Sequence, residues 1–339
     1  MAILTPLTGL TLRQIEDSLA SSGIDRTYAL RVAYWIYRKR VGSFSEMTNI
    51  AGGIREKLSE SFSSGFLRPA ERLESADGSV KYLFDYPGGR KVETVFMPET
   101  RRNTVCVSSQ SGCTRGCLYC RTGEMGLKGN LTAAEIVNQV LAIPESARLT
   151  HVVFMGMGEP LDNLQAVVQA IEILTAEWGL SIAHSRITVS TVGILPAVEQ
   201  FLAKTRSNLT LSILSPISAD RARLVPAERL FPAEKIMSVI RETAPSRRRR
   251  ISLAYMMLEG INDTDSHLDA LIKLISGTTI RVNLLRYHQS GNIMFRQSAP
   301  ERMNLFRERL LAAGISASVR RSRGEDIGAA CGLLGAGEC

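Results

Sequence analysis

The sequence has little histidine, no long apolar run and no cysteine spacing typical of a secreted protein. Its 339 residues include four histidines and six cysteines. No apolar stretch reaches the ~18 residues that a membrane-spanning helix needs. The first twenty residues lack the basic region and apolar core of a signal peptide. We therefore expect a cytoplasmic protein with no membrane partner, in which the cysteines are not a disulfide framework.

The composition is that of an ordinary globular protein with a basic bias. Lysine and arginine exceed aspartate and glutamate by eight, 41 against 33, and the pI is about 9.3. This charge favours a polyanionic partner such as RNA or DNA, although a soluble protein with a basic surface is the simpler alternative. Arg247–Arg250 form a run, and Arg320, Arg321 and Arg323 form a second cluster. Each cluster is either a phosphate contact or a solvated surface.

Apolar spacing divides the chain into three parts. Residues 1–70 have helical periodicity at Leu12–Ser21, Arg26–Lys39 and Ile54–Phe62, which predicts a small helical domain with a basic surface. Residues 71–100 predict a β-hairpin extension, because Lys81–Tyr86 and Lys91–Met97 alternate around a Pro-Gly-Gly turn.

Residues 101–339 repeat a strand followed by a helix. Six such repeats predict an α/β fold with a parallel sheet that curls toward a barrel and has its helices outside. Working residues in barrels of this kind lie at the carboxyl ends of the strands. A last strand, Ser316–Arg320, leads into a glycine-rich tail. The six strand predictions are Val105–Ser108, Val152–Met155, Ile187–Ser190, Leu209–Ile213, Ile251–Leu258 and Ile280–Leu285.

Three cysteines follow the first of these strands in a C-x3-C-x2-C pattern, Cys113, Cys117 and Cys120. Iron–sulfur clusters take cysteine thiolates as ligands. Three ligands on a four-iron cluster leave one iron free to bind a small molecule. A zinc site is the alternative, but such sites usually combine two C-x2-C or Cys/His halves, and no second half is visible.

A second glycine-rich segment, Met155–Pro160, follows the next strand. It is not a dinucleotide-binding loop, because the position that would need glycine is Leu161. Gly158 permits close backbone approach to a ligand, and the Glu159 carboxylate suits an ammonium group. A plain turn is the alternative.

Together these segments, with Tyr119 just before the last cysteine, resemble the signature of the radical S-adenosylmethionine (SAM) superfamily. The resemblance implies a partial (βα)6 TIM-like barrel, a [4Fe-4S] cluster on the three cysteines, and SAM bound to the open iron. It implies that reduction cleaves SAM to a 5′-deoxyadenosyl radical, with an electron donor such as flavodoxin or ferredoxin. It also implies SAM contacts at Gly158, Glu159, Ser190, Ser212 and Asn283.

Further segments resemble the RlmN/Cfr family over nearly the whole chain. They include Cys106–Cys113, Ser190–Gly193 and Asp326–Gly332, while Gly126–Thr132 and Tyr255–Asp263 lean toward the Cfr branch. These enzymes methylate an adenosine of large-subunit ribosomal RNA at carbon 2 or carbon 8. An adenine carbon bonded to hydrogen is not nucleophilic, so direct attack on SAM fails and a radical route is needed.

The resemblance assigns roles to three more residues. Cys331 takes a methyl group from one SAM, and the deoxyadenosyl radical from a second SAM removes hydrogen from that thioether, whose carbon then adds to adenine. Cys106 helps remove the ring proton, and a transient Cys106–Cys331 disulfide releases the product. Glu93 is a candidate proton acceptor. The simpler alternatives are a buried inert cysteine, a plain turn and a surface glutamate, and Cys339 is a free tail thiol.

Two departures from the family put the target in doubt. Leu214 stands where the family has histidine, and Arg286 and His288 replace a proline and an asparagine. The first hypothesis is therefore methylation of ribosomal RNA, and the second is the same chemistry on transfer RNA or another adenosine. A third, of another class, is a non-catalytic RNA-binding iron–sulfur protein. A monomer is the expected state.

Overall fold

A computed structural model of the chain describes residues 4–243, 249–289 and 295–335. Arg247, Arg248 and Cys339 lie outside these ranges. Within them, no helix is both long enough and apolar enough to cross a membrane.

Residues 4–63 form a small helical unit. Its leading helix begins at Thr11, whose side chain accepts a hydrogen bond from the Gln14 N–H while the Gln14 side chain accepts one from Thr11. The second helix continues as a π-helical turn, Tyr34–Lys39, which ends where Arg40 takes a left-handed backbone conformation. In chain order the elements are β1 (Thr5–Pro6), α1 (Leu12–Ser21), α2 (Ala29–Ala33), α3 (Gly52–Ser61) and β2 (Phe62–Ser63).

The π-helical turn docks this unit on the rest of the chain. The Tyr37 hydroxyl accepts from the Gly9 N–H (3.1 Å) and donates to the Leu10 carbonyl (2.6 Å). Its ring lies 5.7 Å from the ring of Trp178. Arg38 donates to the Glu177 carbonyl at 2.9 Å. The Tyr37 bonds order the start of the unit itself, whereas the contacts with Trp178 and Glu177 hold the unit against the rest of the chain.

The remaining strands belong to a ten-stranded sheet and a small two-stranded sheet. The sheet order is β14-β13-β12-β11-β10-β9-β6-β5-β4-β3, and β7 pairs with β8. The strands are β3 (Glu71–Glu74), β4 (Val80–Tyr86), β5 (Arg90–Glu99), β6 (Arg102–Val107), β7 (Gln110–Gly112), β8 (Leu127–Asn130), β9 (His151–Phe154), β10 (Ile187–Thr191), β11 (Asn208–Ser212), β12 (Ile251–Met257), β13 (Arg281–Arg286) and β14 (Ala317–Val319).

Seven strands of the large sheet, β6 and β9–β14, are parallel, and β3–β5 extend it in antiparallel fashion. Among the described residues β3 and β14 are the two edges, so the barrel stays open. Side chains alternate between the faces of a strand, so each strand presents polar residues to the lumen and apolar ones to the helices. On β10, for example, Ile187 and Val189 are buried while Thr188 and Ser190 line the lumen.

Helices cover the outer face of the parallel strands. Their apolar sides are buried, as in α6, where Val167, Ile171 and Leu174 have essentially no exposed area. The helices are α4 (Arg121–Glu124), α5 (Ala133–Leu141), α6 (Leu164–Thr175), α7 (Leu195–Lys204), α8 (Ser218–Leu224), α9 (Ala233–Glu242), α10 (Asp265–Ile275) and α11 (Pro300–Ala312).

The predicted α/β fold class, a partial barrel with a small helical domain, is confirmed. The six predicted barrel strands correspond to β6 and β9–β13, and the predicted hairpin to β4 and β5. One difference concerns the hairpin, because β5 pairs along β6 and places Val95 opposite Cys106. The extension is therefore continuous with the barrel sheet. The limits drawn at residues 70 and 100 stay a prediction.

A glycine at the junction gives a test of the docking. Gly9 has φ +87°, and a Cβ there would lie 2.3 Å from the backbone of Ala134. We expect Gly9→Ala to lower the free energy of unfolding by about 2 kcal/mol or more, since both conformation and contact oppose it. Urea unfolding followed by circular dichroism measures this. Gly53→Ala is the control, because Gly53 lies in α3 with no atom within 4 Å, and a stable Gly9→Ala would contradict rigid docking.

Candidate active site

The lumen of the open barrel holds a cavity of about 580 Å³, within the usual range for ligand pockets. It collects every predicted site residue except Glu93. The residues that line it are Cys106, Cys113, Cys117, Cys120, Gly158, Glu159, Ser190, Ser212, Asn283 and Cys331. Residues from four strands, β6, β10, β11 and β13, and from three loops thus meet at one place.

The three clustered cysteines lie on a tight loop between β7 and β8. The Cys113 N–H donates to the Gly126 carbonyl (3.1 Å), and the Cys120 N–H donates to the Cys117 carbonyl (3.1 Å). Gly112 has φ +74°, and a Cβ there would lie 1.8 Å from the Gly126 oxygen. Only glycine therefore lets the two strands close the loop.

The thiols of this loop are suitable ligands for an iron–sulfur cluster. Burial raises the pKa of Cys113 to about 11, and burial together with the neighbouring thiols raises the pKa of Cys117. Thiolates so placed need cationic compensation. All three cysteines belong to one loop and line one cavity, and iron–sulfur clusters take cysteine thiolates as ligands.

Glu159 is a buried carboxylate at the end of the segment after β9. Its two oxygens accept from the backbone N–H groups of Leu161 and Val192, each at 2.9 Å. Burial nevertheless raises its pKa to about 7. A cationic ligand in the cavity would favour the ionised form, as expected for a group that binds an ammonium.

The sequence analysis did not identify Gln110, whose side chain contacts the backbone of Glu159. Its side-chain oxygen accepts from the Glu159 N–H (2.8 Å), and its amide donates to Asn130 (2.8 Å). A Cβ on Gly158, which has φ +92°, would lie 2.5 Å from Gln110 Cβ. The glycine is thus needed for contact with Gln110. The location of Gln110 between Cys106 and Cys113 was the only available signal.

A buried ion pair, also missed, supports the same region. Arg221 and Glu228 pair with essentially no exposed area, and Arg221 also donates to the carbonyls of Val192 (2.6 Å) and Ile213 (2.9 Å). Val192 therefore donates its backbone N–H to Glu159 and accepts a hydrogen bond from Arg221 at its carbonyl. No sequence motif or residue spacing predicts this ion pair, because its members contact backbone atoms of distant strands.

The predicted polar contacts at the strand ends face the cavity. Ser190 Oγ and Ser212 Oγ are 3.3 Å apart, and Ser318 Oγ donates to Asn283 Oδ1 at 3.3 Å. Arg286 and His288 also line the cavity. Leu214 does not, since it is buried in the core with φ +51° and its carbonyl accepts from Asn262 (2.6 Å). The family histidine position therefore does not open onto the cavity in this chain.

Cys106 and Cys331 approach each other across the lumen. Burial, and to a smaller extent the nearby Cys331, raise the pKa of Cys106 to about 12. Cys331 is exposed within the cavity, but surrounding protein atoms still raise its pKa, which Arg320 partly lowers. Both are free thiols, as are the other cysteines in the described ranges, so a standing disulfide is not supported. Neither thiol has the lowered pKa that an acid–base or nucleophilic role favours, so each needs a nearby base.

Glu93 lies on the cavity side of β5 but beneath the C-terminal loop. Its carboxylate is 3.0 Å from Lys81 Nζ, and both side chains are almost fully buried. Its other oxygen accepts from the Gly335 N–H at 2.7 Å. Its predicted role as proton acceptor stays a prediction.

Arginines line the part of the cavity away from the cysteine loop. Arg250, Arg281 and Arg320 are exposed there, and no carboxylate among the described residues lies within 4.0 Å of them. Burial lowers the pKa of Arg102, and the charges of Arg320 and Arg250 lower it further. Burial and Arg102 lower the pKa of His151 to about 4. This concentration of positive charge favours an anionic ligand.

The raised pKa of Glu159 predicts a pH dependence of stability. Its folded pKa lies above the ordinary glutamate value of 4.5, so its stabilising contribution is largest below that value and is lost as pH rises toward 7. From pH 5 to 8 the wild type should lose on the order of 2 kcal/mol more unfolding free energy than Glu159→Gln. Denaturant unfolding at several pH values measures this, with Glu199→Gln on the exposed side of α7 as control. Equal slopes for wild type and Glu159→Gln would contradict the assignment.

Comparison with known proteins agrees with this geometry. Residues 107–275 match the family model of the radical SAM superfamily, and residues 5–63 match the ribosomal RNA large subunit methyltransferase N-terminal domain. A crystal structure of a radical SAM methyltransferase from Sphaerobacter thermophilus superposes with a TM-score of 0.93 at 37% identity, covering 98% of this chain and 99% of that one.

Curated relatives match over the same extent. The probable dual-specificity RNA methyltransferase RlmN of Parabacteroides distasonis is 42% identical over 97% of this chain and 96% of its own length. The dual-specificity RNA methyltransferase RlmN of Syntrophobacter fumaroxidans is 38% identical over 96% of both. The chain is a SAM-dependent methyltransferase and belongs to the RlmN-type family of radical SAM RNA methyltransferases.

Proposed function

We propose that this enzyme methylates carbon 2 or carbon 8 of an adenosine in large-subunit ribosomal RNA through an S-methylated Cys331. The observation that carries the proposal is the meeting of two cysteines outside the cluster motif within one cavity. Cys331 is close enough to Cys106 to perturb its pKa, and Cys120 in turn perturbs Cys331. A radical SAM enzyme that did not carry the methyl group on a cysteine would not need this pair of cysteines.

The cofactors are assigned from the donor groups present. Cys113, Cys117 and Cys120 would hold a [4Fe-4S] cluster, and Glu159, Ser190, Ser212 and Asn283 would contact SAM along the strand ends. When bound, cluster and SAM supply the organic radical that attack on an unreactive carbon–hydrogen bond requires. Glu159 would hold the SAM ammonium, because its carboxylate is fixed by two backbone N–H groups and is otherwise buried.

Cys331 and Cys106 have different roles in the remaining steps of the proposed reaction. Cys331 carries the methyl group and is joined through it to the adenine carbon. Cys106 is buried in β6 and reaches the same space, so it can take the ring proton while an electron acceptor takes the unpaired electron of the adduct. Attack of the Cys106 sulfur on the Cys331 sulfur then breaks the carbon–sulfur bond, the released carbon takes a proton to become the methyl group, and both sulfurs remain as a disulfide. A thiol reductant must regenerate them. Glu93 is the family candidate for proton acceptance.

An RNA substrate agrees with the distribution of charge. Arginines without carboxylate partners line the cavity, and the N-terminal unit adds exposed cationic and aromatic side chains. There Arg31 lies over the ring of Tyr28 (4.7 Å) and Lys39 over the ring of Tyr34 (5.7 Å), which is 44% exposed. Cations bind phosphates and exposed rings stack on bases. The N-terminal match to a ribosomal RNA methyltransferase domain supports ribosomal RNA in particular.

Nucleoside mass spectrometry tests the proposal. Cluster-reconstituted protein, SAM, a reductant and unmodified large-subunit RNA should yield 2-methyl- or 8-methyladenosine. Cys331→Ala should reduce this product below detection, because the methyl carrier is removed, whereas Cys339→Ala should retain it. Methyladenosine formed by Cys331→Ala would overturn the assigned carrier, and the identity of the product distinguishes carbon 2 from carbon 8.

The same experiment separates the second function. Arg286 and His288 face the cavity and differ from the family pattern, which favours a second candidate: the same chemistry on transfer RNA or another adenosine. Formation of 5′-deoxyadenosine without methylated ribosomal RNA, and methylation of transfer RNA instead, would support it. Absence of both 5′-deoxyadenosine and a methyl group on Cys331 would indicate a non-catalytic RNA-binding protein.

The cavity arginines give a prediction for RNA affinity. Arg250→Gln and Arg281→Gln should each weaken binding and lower the slope of log K against log salt by about one, as expected for loss of one phosphate contact. Fluorescence anisotropy with a labelled ribosomal RNA fragment measures both. Arg229→Gln is the matched control, since Arg229 is exposed outside the cavity and also lacks a carboxylate within 4.0 Å in the described ranges. An unchanged slope in both variants would exclude these arginines from RNA contact.

A further inference from the structure

The loop that carries Cys331 is held on its outer side by the turn between β3 and β4. Asp326 accepts from Ser75 Oγ (2.6 Å) and from the Ala76 N–H (3.0 Å). In return Asp77 accepts from the Gly324 N–H at 3.1 Å. Each segment thus gives a carboxylate to a backbone N–H group of the other, across about 250 positions of sequence.

The inner side of the same loop rests on a buried ion pair. Glu93 on β5 pairs with Lys81 on β4 at 3.0 Å, with side chains 3% and 6% exposed. The other carboxylate oxygen of Glu93 accepts from the Gly335 N–H, four residues beyond Cys331. A buried carboxylate without its lysine would be strongly unfavourable, so the pair holds the oxygen where Gly335 meets it.

Two further bonds tie this loop to the cysteine loop. The Arg121 N–H donates to the Gly332 carbonyl (2.9 Å), and Thr122 Oγ1 donates to the Leu334 carbonyl (2.7 Å). Cys331 therefore lies between an anchor on the β3–β5 extension and an anchor beside Cys120. Since β5 also pairs with β6 opposite Cys106, one rigid sheet locates both catalytic thiols.

We propose that the β3–β5 extension is the seat of the Cys331 loop, and that Lys81, Glu93 and Asp326 are positioning residues for the Cys331 thiol. The proposal rests on Cys331 as methyl carrier in the proposed function. Glu93 then acts through the loop backbone by accepting the Gly335 N–H, and Asp326 acts through the β3–β4 turn.

A neutral pair distinguishes positioning from proton acceptance by Glu93. In the double variant Lys81→Gln and Glu93→Gln, the amide at 93 can accept from Gly335 and donate to the amide at 81, so both bonds survive without charge. Each single variant leaves a mismatched buried group and should loosen the loop. The double variant should recover the wild-type position, although no carboxylate remains to take a proton.

The first readout is alkylation of Cys331 by iodoacetamide in the cluster-reconstituted protein, mapped by peptide mass spectrometry. We expect Glu93→Gln to change the alkylation rate by about tenfold and to lower methylation of Cys331 by a similar factor, because small displacements of a reacting group are costly. The double variant should lie within about threefold of wild type in both readouts. A double variant that behaves like Glu93→Gln alone in both readouts would overturn positioning by this pair.

The outer contact has its own test, since the single inner variants could fail to fold. Ser75→Ala and Asp326→Ala should each raise Cys331 alkylation by about threefold, a small effect because Asp326 is exposed, although Ser75 is buried. Their combination should add little to either, as expected for partners in one contact. Glu71→Ala, an exposed change on β3, is the control. Additive effects of the two substitutions on alkylation, or no effect of either, would show that Asp326 does not position the Cys331 loop.

These readouts separate the seat from the proposed function. If the wild type never acquires a methyl group on Cys331, the proposed carrier role fails, while the alkylation rates still report whether the extension fixes the loop. If the wild type is methylated and the variants alkylate at wild-type rates, the seat fails and the carrier role stands.

Discussion

The parallel sheet ends before it closes, and the gap between β14 and the β3–β5 extension governs the rest of the structure. A closed barrel would fill its lumen with side chains, whereas this lumen keeps a cavity of about 580 Å³. The gap is spanned by polar side chains in place of a strand ladder: Arg323 lies 3.9 Å from both Asp77 and Glu99. Room is thereby left for a loop to bring a thiol to the centre of the sheet.

The site holds charge in arrangements that are unfavourable without ligands. Burial raises the pKa of Glu159, three thiols share one loop, and Arg102 is close enough to Arg250 and Arg320 for repulsion to perturb its pKa. Perturbed groups of this kind concentrate at functional sites, because ligands supply the missing counter-charge. Glu159 and the thiols lie near the cysteine loop, whereas Arg102 and Arg281 lie at the amino ends of β6 and β13. These two regions differ in charge, as the proposed SAM and RNA ligands require.

Much of the fold and of the site could be predicted from local sequence. The Pro87-Gly88-Gly89 turn, the six strands and the cysteine loop were predictable, because spacing and turn residues act within a few positions. β3 was not, since Glu71–Glu74 is exposed throughout and shows no alternation. The Arg221–Glu228 pair and the Lys81–Glu93 pair were also out of reach, as each is defined by burial between elements that sequence alone does not bring together. Leu214 shows the same limit, because its left-handed backbone turns it away from the cavity.

The segment Asp326–Gly332 shows how one motif combines chemistry with geometry. Only Cys331 has reactive chemistry, and the other positions determine where it lies. Gly324 and Gly328 bracket the turn that presents Asp326 and have φ near +60°, which a side chain would strain. Gly332 has φ +88° and passes 3.1 Å from the Tyr119 carbonyl, measured from where a Cβ would lie. The glycines therefore let the backbone pass close to the cysteine loop, and the carboxylate ties the same backbone to the β3–β4 turn. In the proposed function this thiol meets a SAM-derived group, an adenine and Cys106 in turn, so its own side chain cannot be fixed and the surrounding loop provides the constraint.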